Sequence, residues 1–534
     1  MKKILLSTLG IFILFTNVHA GGIVTNTNQS AAYVRMLARD ATLGIDAVYF
    51  NPAGMPFLGT GLFLSLSNQT IFQNRTIDSN YPYLNSGSFK GKVSAPVFPS
   101  VYAAFNLSRL SLSFGFNPIG GGGSAAYKTG LPSFEYQLSD LVPGMQGAGV
   151  TGYKSDLYFK GQSIYWGAQL GAAYKINDML SVFVGGRYVS VTNTYTGHIN
   201  NTQLNLSGAW VRADDLMNSI KSQYNAVQTG SQALVDKGAG TLTYAQAEGM
   251  NYISALDQAK FEGALTNLGY LVSTNIATSN AIFGGAVSEF GVRATLLGDQ
   301  EANVTQTGHG ITPIIGADLK LPGNLVNIGI KYEFLTKIEV TNDTKKDINV
   351  GYDPVNQKYI TQFPNGQKTP NDMPALLSVG ASLNLPKITV SAGYHQYFDK
   401  QARYGKMDTN GQFINNSSLM TSNDNEIALG VEYNVNPLLL VSAGYLRANS
   451  GAKPEFQSDQ NPDLGSNSGG IGGALKFTKL LTINVGVLYS KYDAADKSFT
   501  HYVAEQASAP VTVKETYGQD NLVFAVGVDI NLSK

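Results

Sequence analysis

An all-β fold, and within it a transmembrane β-barrel, is what this sequence predicts, on three observations. The first is a pattern that returns from Leu110 to the C-terminus: a tight polar turn, then alternating apolar residues with a glycine near the middle. Its clearest copies are Leu110-Ser-Leu-Ser-Phe-Gly115, Leu180-Ser-Val-Phe-Val-Gly185, Ile388-Thr-Val-Ser-Ala-Gly393, Leu439-Leu-Val-Ser-Ala-Gly444 and Leu481-Thr-Ile-Asn-Val-Gly486. A period of two gives each strand one apolar face. The second is that short and long connections alternate, as they do in barrels that cross an outer membrane. The third is that no stretch beyond the N-terminal leader offers the ~20 apolar residues that a spanning helix needs.

Composition agrees. Lys+Arg and Asp+Glu are equal at 37 each, so no basic field points to nucleic acid. Hydrophobic content is 43% and mean hydropathy −0.05. A barrel reads this way because only every second strand residue meets lipid. Tyr (29) and Phe (25) far outnumber Trp (2), a supply of rings for membrane interfaces. With no Cys there is neither a disulfide scaffold nor thiolate chemistry.

Taken in order, residues 1–20 read as a signal peptide. Lys2 and Lys3 form the charged region, Ile4 to Phe15 the apolar one, and Val18-His19-Ala20 a cleavage site before Gly21. The apolar run is too short for a membrane anchor. An exported chain with barrel strands belongs in a Gram-negative outer membrane, as a multi-pass β-barrel. Period-two alternation then places strands near 61–73, 93–106, 110–118, 161–175, 180–196, 306–320, 325–342, 376–385, 387–399, 425–434, 438–449, 469–477, 481–493 and 519–532, about 14 in all, an even number as single-chain bacterial barrels require. Short turns such as Asn177-Asp178 and Pro322-Gly323-Asn324 face the periplasm, and the long connections face outward.

Alternation also assigns faces. Leu522, Phe524, Val526, Val528, Ile530 and Leu532 share the lipid side of the last strand; Val523, Ala525, Gly527, Asp529 and Asn531 share the other. In the strand near 325, Asn327, Gly329, Lys331 and Glu333 point inward. Gly115, Gly185, Gly329, Gly393, Gly486 and Gly527 therefore face the lumen, while Gly444 fits less cleanly. Glycine often marks close approach of another backbone, so a lumen lined this way has room for an occupant. The long connection 197–305 is partly helical. Asp214-Asp215 open a segment with Leu216, Ile220, Tyr224 and Val227 at helical spacing; Thr243 and Gln246 make a capping box before a stretch to Leu268; Ile282–Leu297 forms a third. It reads either as an extracellular lid or spacer, or as an apolar surface that first captures a ligand.

Before the first strand, residues 31–43 show no strand alternation and lead into Asp46-Ala-Val-Tyr-Phe-Asn-Pro-Ala-Gly54. Asn51-Pro52-Ala53-Gly54 alone is a turn signal. Set just ahead of a barrel of this size, the segment resembles the FadL family of outer-membrane transporters for long-chain fatty acids and other hydrophobic compounds. The strand count and the glycine-rich stretch after the third strand share in the resemblance, which covers the mature chain in architecture. It implies that residues 21–60 form a hatch plugging the lumen, that Asn51, Pro52, Ala53 and Gly54 make its return turn, and that 61–534 form the barrel.

The third strand carries the second match. Phe116-Asn117-Pro118-Ile119 runs into Gly120, Gly121, Gly122 and Gly123. Proline donates no ladder bond and is tolerated where a sheet is interrupted. The residues alone read equally as a flexible exit or as a break; the resemblance implies an inward kink that opens the wall. A phosphate loop is a poor fit, with no Lys-Ser/Thr after the glycines. Burying a CH₂ is worth ~0.8 kcal/mol, so a chain of about 15 methylenes resists a watery channel by ~12 kcal/mol and gains by leaving sideways into lipid.

Mature-chain histidines (His198, His309, His395, His501) are scattered without a nucleophile motif, so catalysis is not expected. No metal spacing or cofactor motif stands out. Asp343–Asp347 and Asp459–Asp463 read as solvated loops. Arg187 and Lys331 point inward and either pair structurally or meet a carboxylate headgroup. The expected partners are hydrophobic small molecules (a long-chain fatty acid or hydrocarbon) and outer-membrane lipid, with the barrel a monomer. A general diffusion porin and a surface adhesin or structural barrel are the competing readings.

Overall fold

Hydrogen-bonded neighbours close the wall on itself. In the computed structural model, which describes residues 30–408, 411–503 and 510–533, the antiparallel barrel has 14 wall strands. In order they are Gly61–Ser79, Ser88–Asn106, Leu110–Tyr127, Val150–Lys175, Leu180–Leu206, Gln300–Lys320, Val326–Glu333, Leu376–Asn384, Ile388–Tyr397, Asn425–Asn434, Leu439–Asn449, Ser466–Lys476, Leu481–Tyr492 and Val511–Ser533. The first and last pair from Gly61↔Ser533 to Ser79↔Glu515, so the sheet closes on itself with no free terminal strand. The leader assigned to residues 1–20 and the start of the 21–60 segment lie outside the described residues.

Alternation becomes two surfaces. Leu170, Val184, Ile311, Ile471 and Val526 are exposed on the outside, where hydrocarbon is their solvent. Tyr394, Tyr445 and Tyr489 mark the end near the long connections; Phe105, Tyr433 and Phe477 mark the other. Rings with one wet edge favour both interfaces.

Two strand expectations change. Strands three to six run well past their apolar stretches, the fourth starting at Val150 and the fifth ending at Leu206. Above the bilayer their outer faces meet water, so polar residues such as His198, Gln203 and Asn205 continue a strand that apolar alternation no longer marks. The seventh strand, expected as one piece over 325–342, stops at Glu333 and resumes as Glu339–Lys346, because the chain between folds into the lumen.

The insertion carries helices Ala213–Asp236, Tyr244–Gly249, Ala255–Asn267 and Ile276–Leu297 around a core that includes Met217, Tyr224, Leu265, Phe283 and Phe290. The capping box forms: Thr243 Oγ1 accepts Gln246 N–H at 3.2 Å and Gln246 Oε1 accepts Thr243 N–H at 2.9 Å. The last helix starts earlier than expected because Asn275 caps it, its side chain accepting Thr278 N–H at 2.8 Å.

Residues 30–58 lie inside the barrel as two short helices, Ala31–Arg35 and Ala47–Phe50, and a tighter turn, Pro52–Leu58. Val34, Leu37, Val48 and Phe50 share one apolar cluster with the wall residues Phe63, Tyr102, Leu446 and Val523. The wall recedes to admit them. Gly329, Gly380 and Gly393 face one another across three strands; Gly430, Gly444 and Gly470 continue the belt, then Gly472 and Gly486. A Cβ on Gly380 would lie 2.5 Å from Asp40 Cβ, and one on Gly444 2.5 Å from Leu37 N, so Gly444 faces the lumen like the rest.

Candidate functional site

The third strand leaves its second-strand partner at Phe116↔Val101 and rejoins it at Ala125↔Val93. Against the fourth strand it slips twice, between Pro118 and Gly120 and between Gly120 and Gly123. Alternation fails at the same place: Phe116 is exposed, whereas Asn117, Pro118, Ile119 and Gly120 are buried in succession. The chain has turned inward. Gly121 sits at φ +88°, and a Cβ there would collide with the Ser163 carbonyl, so only glycine makes the bend. Phe116 stays outside, its ring stacked on Trp166 at 5.2 Å. Sequence reasoning missed three contributors. Pro96 and Pro99 lie on the facing stretch of the second strand, where a proline is suited to an unpaired edge. Ile119 is wholly buried in the lumenal cluster.

The N-terminal segment is tied to the wall by side chains reaching its backbone carbonyls. Gln169 Nε2 donates to Val48 O at 2.7 Å, Lys331 Nζ to Tyr49 O at 2.8 Å, and Asn106 Nδ2 to Met55 O at 2.7 Å. Asn51 donates to Asp318 and, at 3.3 Å, to Thr42 O; Asn327 joins Asp318 (2.8 Å) to Ala41 O (3.0 Å). Pro52 starts the tight turn, Ala53 O accepts the Ser181 hydroxyl, and Gly54 N–H donates to Asn51 O at 2.8 Å. A Cβ on Gly54 would lie 2.6 Å from Asn51 Nδ2. The four residues therefore form one turn, seated on the fourth to sixth strands.

Charge completes the seat. Arg187 grips Glu333 at 2.6 and 3.1 Å, and Lys331 adds a 2.7 Å contact to the same carboxylate; all three are buried. Arg35 reaches Glu432 (2.5 Å), Arg39 pairs with Asp46 (2.7 Å), and His395 bridges Asp40 and Glu426 at 2.7 Å each. Toward the short turns lies a cavity of about 250 Å³ lined by Arg35, Arg39, Asp46, Glu432, Lys476 and Asp529. The axial way on from the segment is thus polar and charged.

On the long-connection side, Asp459 and Asp463 are buried, correcting their reading as a solvated loop. The connections after the ninth and eleventh strands pack together around Ala402, Tyr404, Met420 and Phe456, and carry these carboxylates inside. Burial pushes the carboxyls of Asp399, Asp424 and Asp463 up, the last to about 7, and neighbouring acids add to the rise at Asp424 and Asp463. Burial also lowers Lys406 to about 8, its Nζ lying 3.1 Å from Phe456 O. Among the described residues, no group of three or more His, Asp or Glu is placed to hold a metal ion.

No family model and no curated protein matches this chain. Solved structures do. A Pseudomonas aeruginosa FadL homologue superposes with a TM-score of 0.58 at 12% identity, over 96% of this chain and 100% of that one. The Pseudomonas putida toluene transporter TodX matches at 0.46 and 14%, over 92% and 95%; the Ralstonia pickettii toluene transporter TbuX matches at 0.47 and 14%, over 95% and 99%. In fold, this chain is a FadL-type closed antiparallel β-barrel with an N-terminal helical segment in its lumen.

Proposed function

We propose that the chain is an outer-membrane channel for passive uptake of hydrophobic compounds, most simply long-chain fatty acids or hydrocarbons. In this reading residues 21–60 act as a hatch, with Asn51, Pro52, Ala53 and Gly54 as its return turn. Phe116, Asn117, Pro118, Gly120 and Gly121 shape a lateral opening between lumen and bilayer. The observation that carries it is a mismatch of routes. Straight ahead, cargo meets the charged cavity around Arg39 and Lys476; sideways, it meets Ile119, a broken ladder and lipid. An apolar molecule gains about 25 cal/mol per Å² by staying out of water, so the sideways route wins. Arg187 and Lys331 can meet a carboxylate headgroup only by giving up Glu333, which makes them hatch supports first.

The test pairs two measurements on the full chain and on a form lacking residues 30–54. The full chain is expected to be nearly silent to ions in a planar bilayer and to take up labelled fatty acid or toluene in cells; the shortened form conducts and loses selective uptake. Strong conductance by the full chain points to a porin instead. Uptake that is absent in both forms, with the barrel folded, favours a structural or adhesive role.

A further inference from the structure

The seventh strand does what the third does, four strands further round the wall. It pairs with the sixth as far as Glu333↔Ile314 and resumes at Thr341↔Thr307. Phe334 still donates its N–H to Pro313 O at 3.0 Å and stays exposed; residues 335–338 then leave that ladder and turn inward together with the approach to the eighth strand. Thr336 and Met373 exchange N–H···O bonds of 3.0 and 2.9 Å, and Ile338 N–H donates to Asp372 Oδ1 at 3.1 Å. The sixth strand makes room with Gly308 and Gly310. A Cβ on Gly310 would lie 2.6 Å from Thr336 Cγ2 and 2.8 Å from Lys337 O; one on Gly308 would lie 2.6 Å from Glu339 O. The Thr312 and Thr336 hydroxyls bond to each other. The segment is therefore a second layer laid on the inner face of the sixth strand.

Register sets this layer on the same line as the third-strand break. Gly120 faces Tyr165, Tyr165 faces Val191, and Val191 faces Gly308. Ile338 and Val340 are buried in one apolar cluster with Ile119, Tyr165, Val189 and Val191, and with Val48 and Tyr49 of the N-terminal segment. On the transport reading, an apolar molecule that reaches the third-strand break borders this cluster, because Ile119 beside the break is itself one of its members. The layer has wall backbone directly behind it, so it cannot retreat outward.

We propose that residues 335–340 form an inner gate on the path and that Ile338 sets the width of molecule that reaches the third-strand opening. The proposal rests on the transport reading above. The side chains clustered with Ile338 are apolar, so the gate sorts by girth rather than by headgroup.

Initial uptake rates of three labelled probes of rising width (dodecanoate, toluene and pyrene) test it in cells making the full chain. Ile338→Ala is expected to raise pyrene relative to dodecanoate by about tenfold, the scale at which a few methylenes alter discrimination in an apolar pocket. Gly310→Ala presses Thr336 and Lys337 inward and is expected to lower pyrene entry first. The outward Ile311→Ala is expected to change nothing. Heat-modifiable migration in SDS gels reports folding, and if Ile338→Ala fails there, Ile338→Val and Gly310→Ala carry the test. An unaltered pyrene-to-dodecanoate ratio in folded variants overturns the gate while transport stands. A wild-type chain that admits none of the probes overturns the transport reading and the gate with it.

Discussion

Two segments of this chain are not barrel, and they are held in opposite ways. The helical insertion, Ala213–Leu297, brings Phe283, Phe290, Tyr224 and Leu265 to an apolar core that continues into Val150, Tyr153, Ile199 and Leu204 of the strand extensions, and its helix starts are capped by Thr243, Ser254 and Asn275. Residues 30–58 have few ties of their own, chiefly Arg39 to Asp46 and Tyr33 stacked on Phe50. Their helices are one turn or so long, too short to hold alone, and their carbonyls are claimed by Gln169, Lys331, Asn106 and Ser181 of the wall. The insertion is a small domain carried on the barrel, whereas the N-terminal segment is a part whose shape the barrel imposes. In the hatch reading proposed above, these ties to the wall are what must break for the segment to move.

Breaking the seat should therefore have the largest effect. Gly380→Leu puts a side chain where Asp40 lies, 2.5 Å from a single added Cβ. Planar-bilayer conductance is expected to rise at least about tenfold over the nearly silent wild type, because overpacking of a few kcal/mol shifts a two-state equilibrium that far. Arg187→Met comes next. It strands Glu333 in the interior with Lys331 alone, and losing one partner of a buried pair costs about 3–5 kcal/mol. Denaturant unfolding should show it, and the triple variant that adds Glu333→Leu and Lys331→Met, leaving no charge stranded, should recover much of the loss.

Acidity sharpens the comparison from outside the membrane. Carboxyls raised by burial keep protons in the folded state that the unfolded state has released. The packed connections at 399–424 and 450–465 are accordingly most stable near pH 4, and lose stability as pH rises toward about 7, where Asp463 titrates. Hydrogen exchange in these connections should quicken over that window, and Asp463→Asn should flatten the trend. The smallest effect belongs to the insertion. Thr243→Ala removes one cap, costs about 1 kcal/mol locally and leaves conductance at the wild-type level.

Sequence legibility followed the same division. The insertion's helices were readable because caps and apolar spacing are local signals. Strand faces were readable because period two is local as well: Asn327, Lys331 and Glu333 are inward and buried as alternation requires. The third-strand break was half legible, through Pro118 and the glycines. Pro96 and Pro99 belonged to it too, but their part depends on which strand they face. The seventh-strand fold left no mark on its own residues, since Phe334-Leu-Thr-Lys-Ile338 breaks no rule; its signals, Gly308 and Gly310, lie on the neighbouring strand.

By itself, then, the chain determined a barrel, its strand count, the direction of its glycines and a helical insertion, because each rests on residues close in sequence. Only the tertiary structure decided that those glycines line up into a belt, that Asp40 and Leu37 fill it, and that two strands leave the wall along one cross-strand line. Those are matters of register between distant strands, and register is set when the barrel closes.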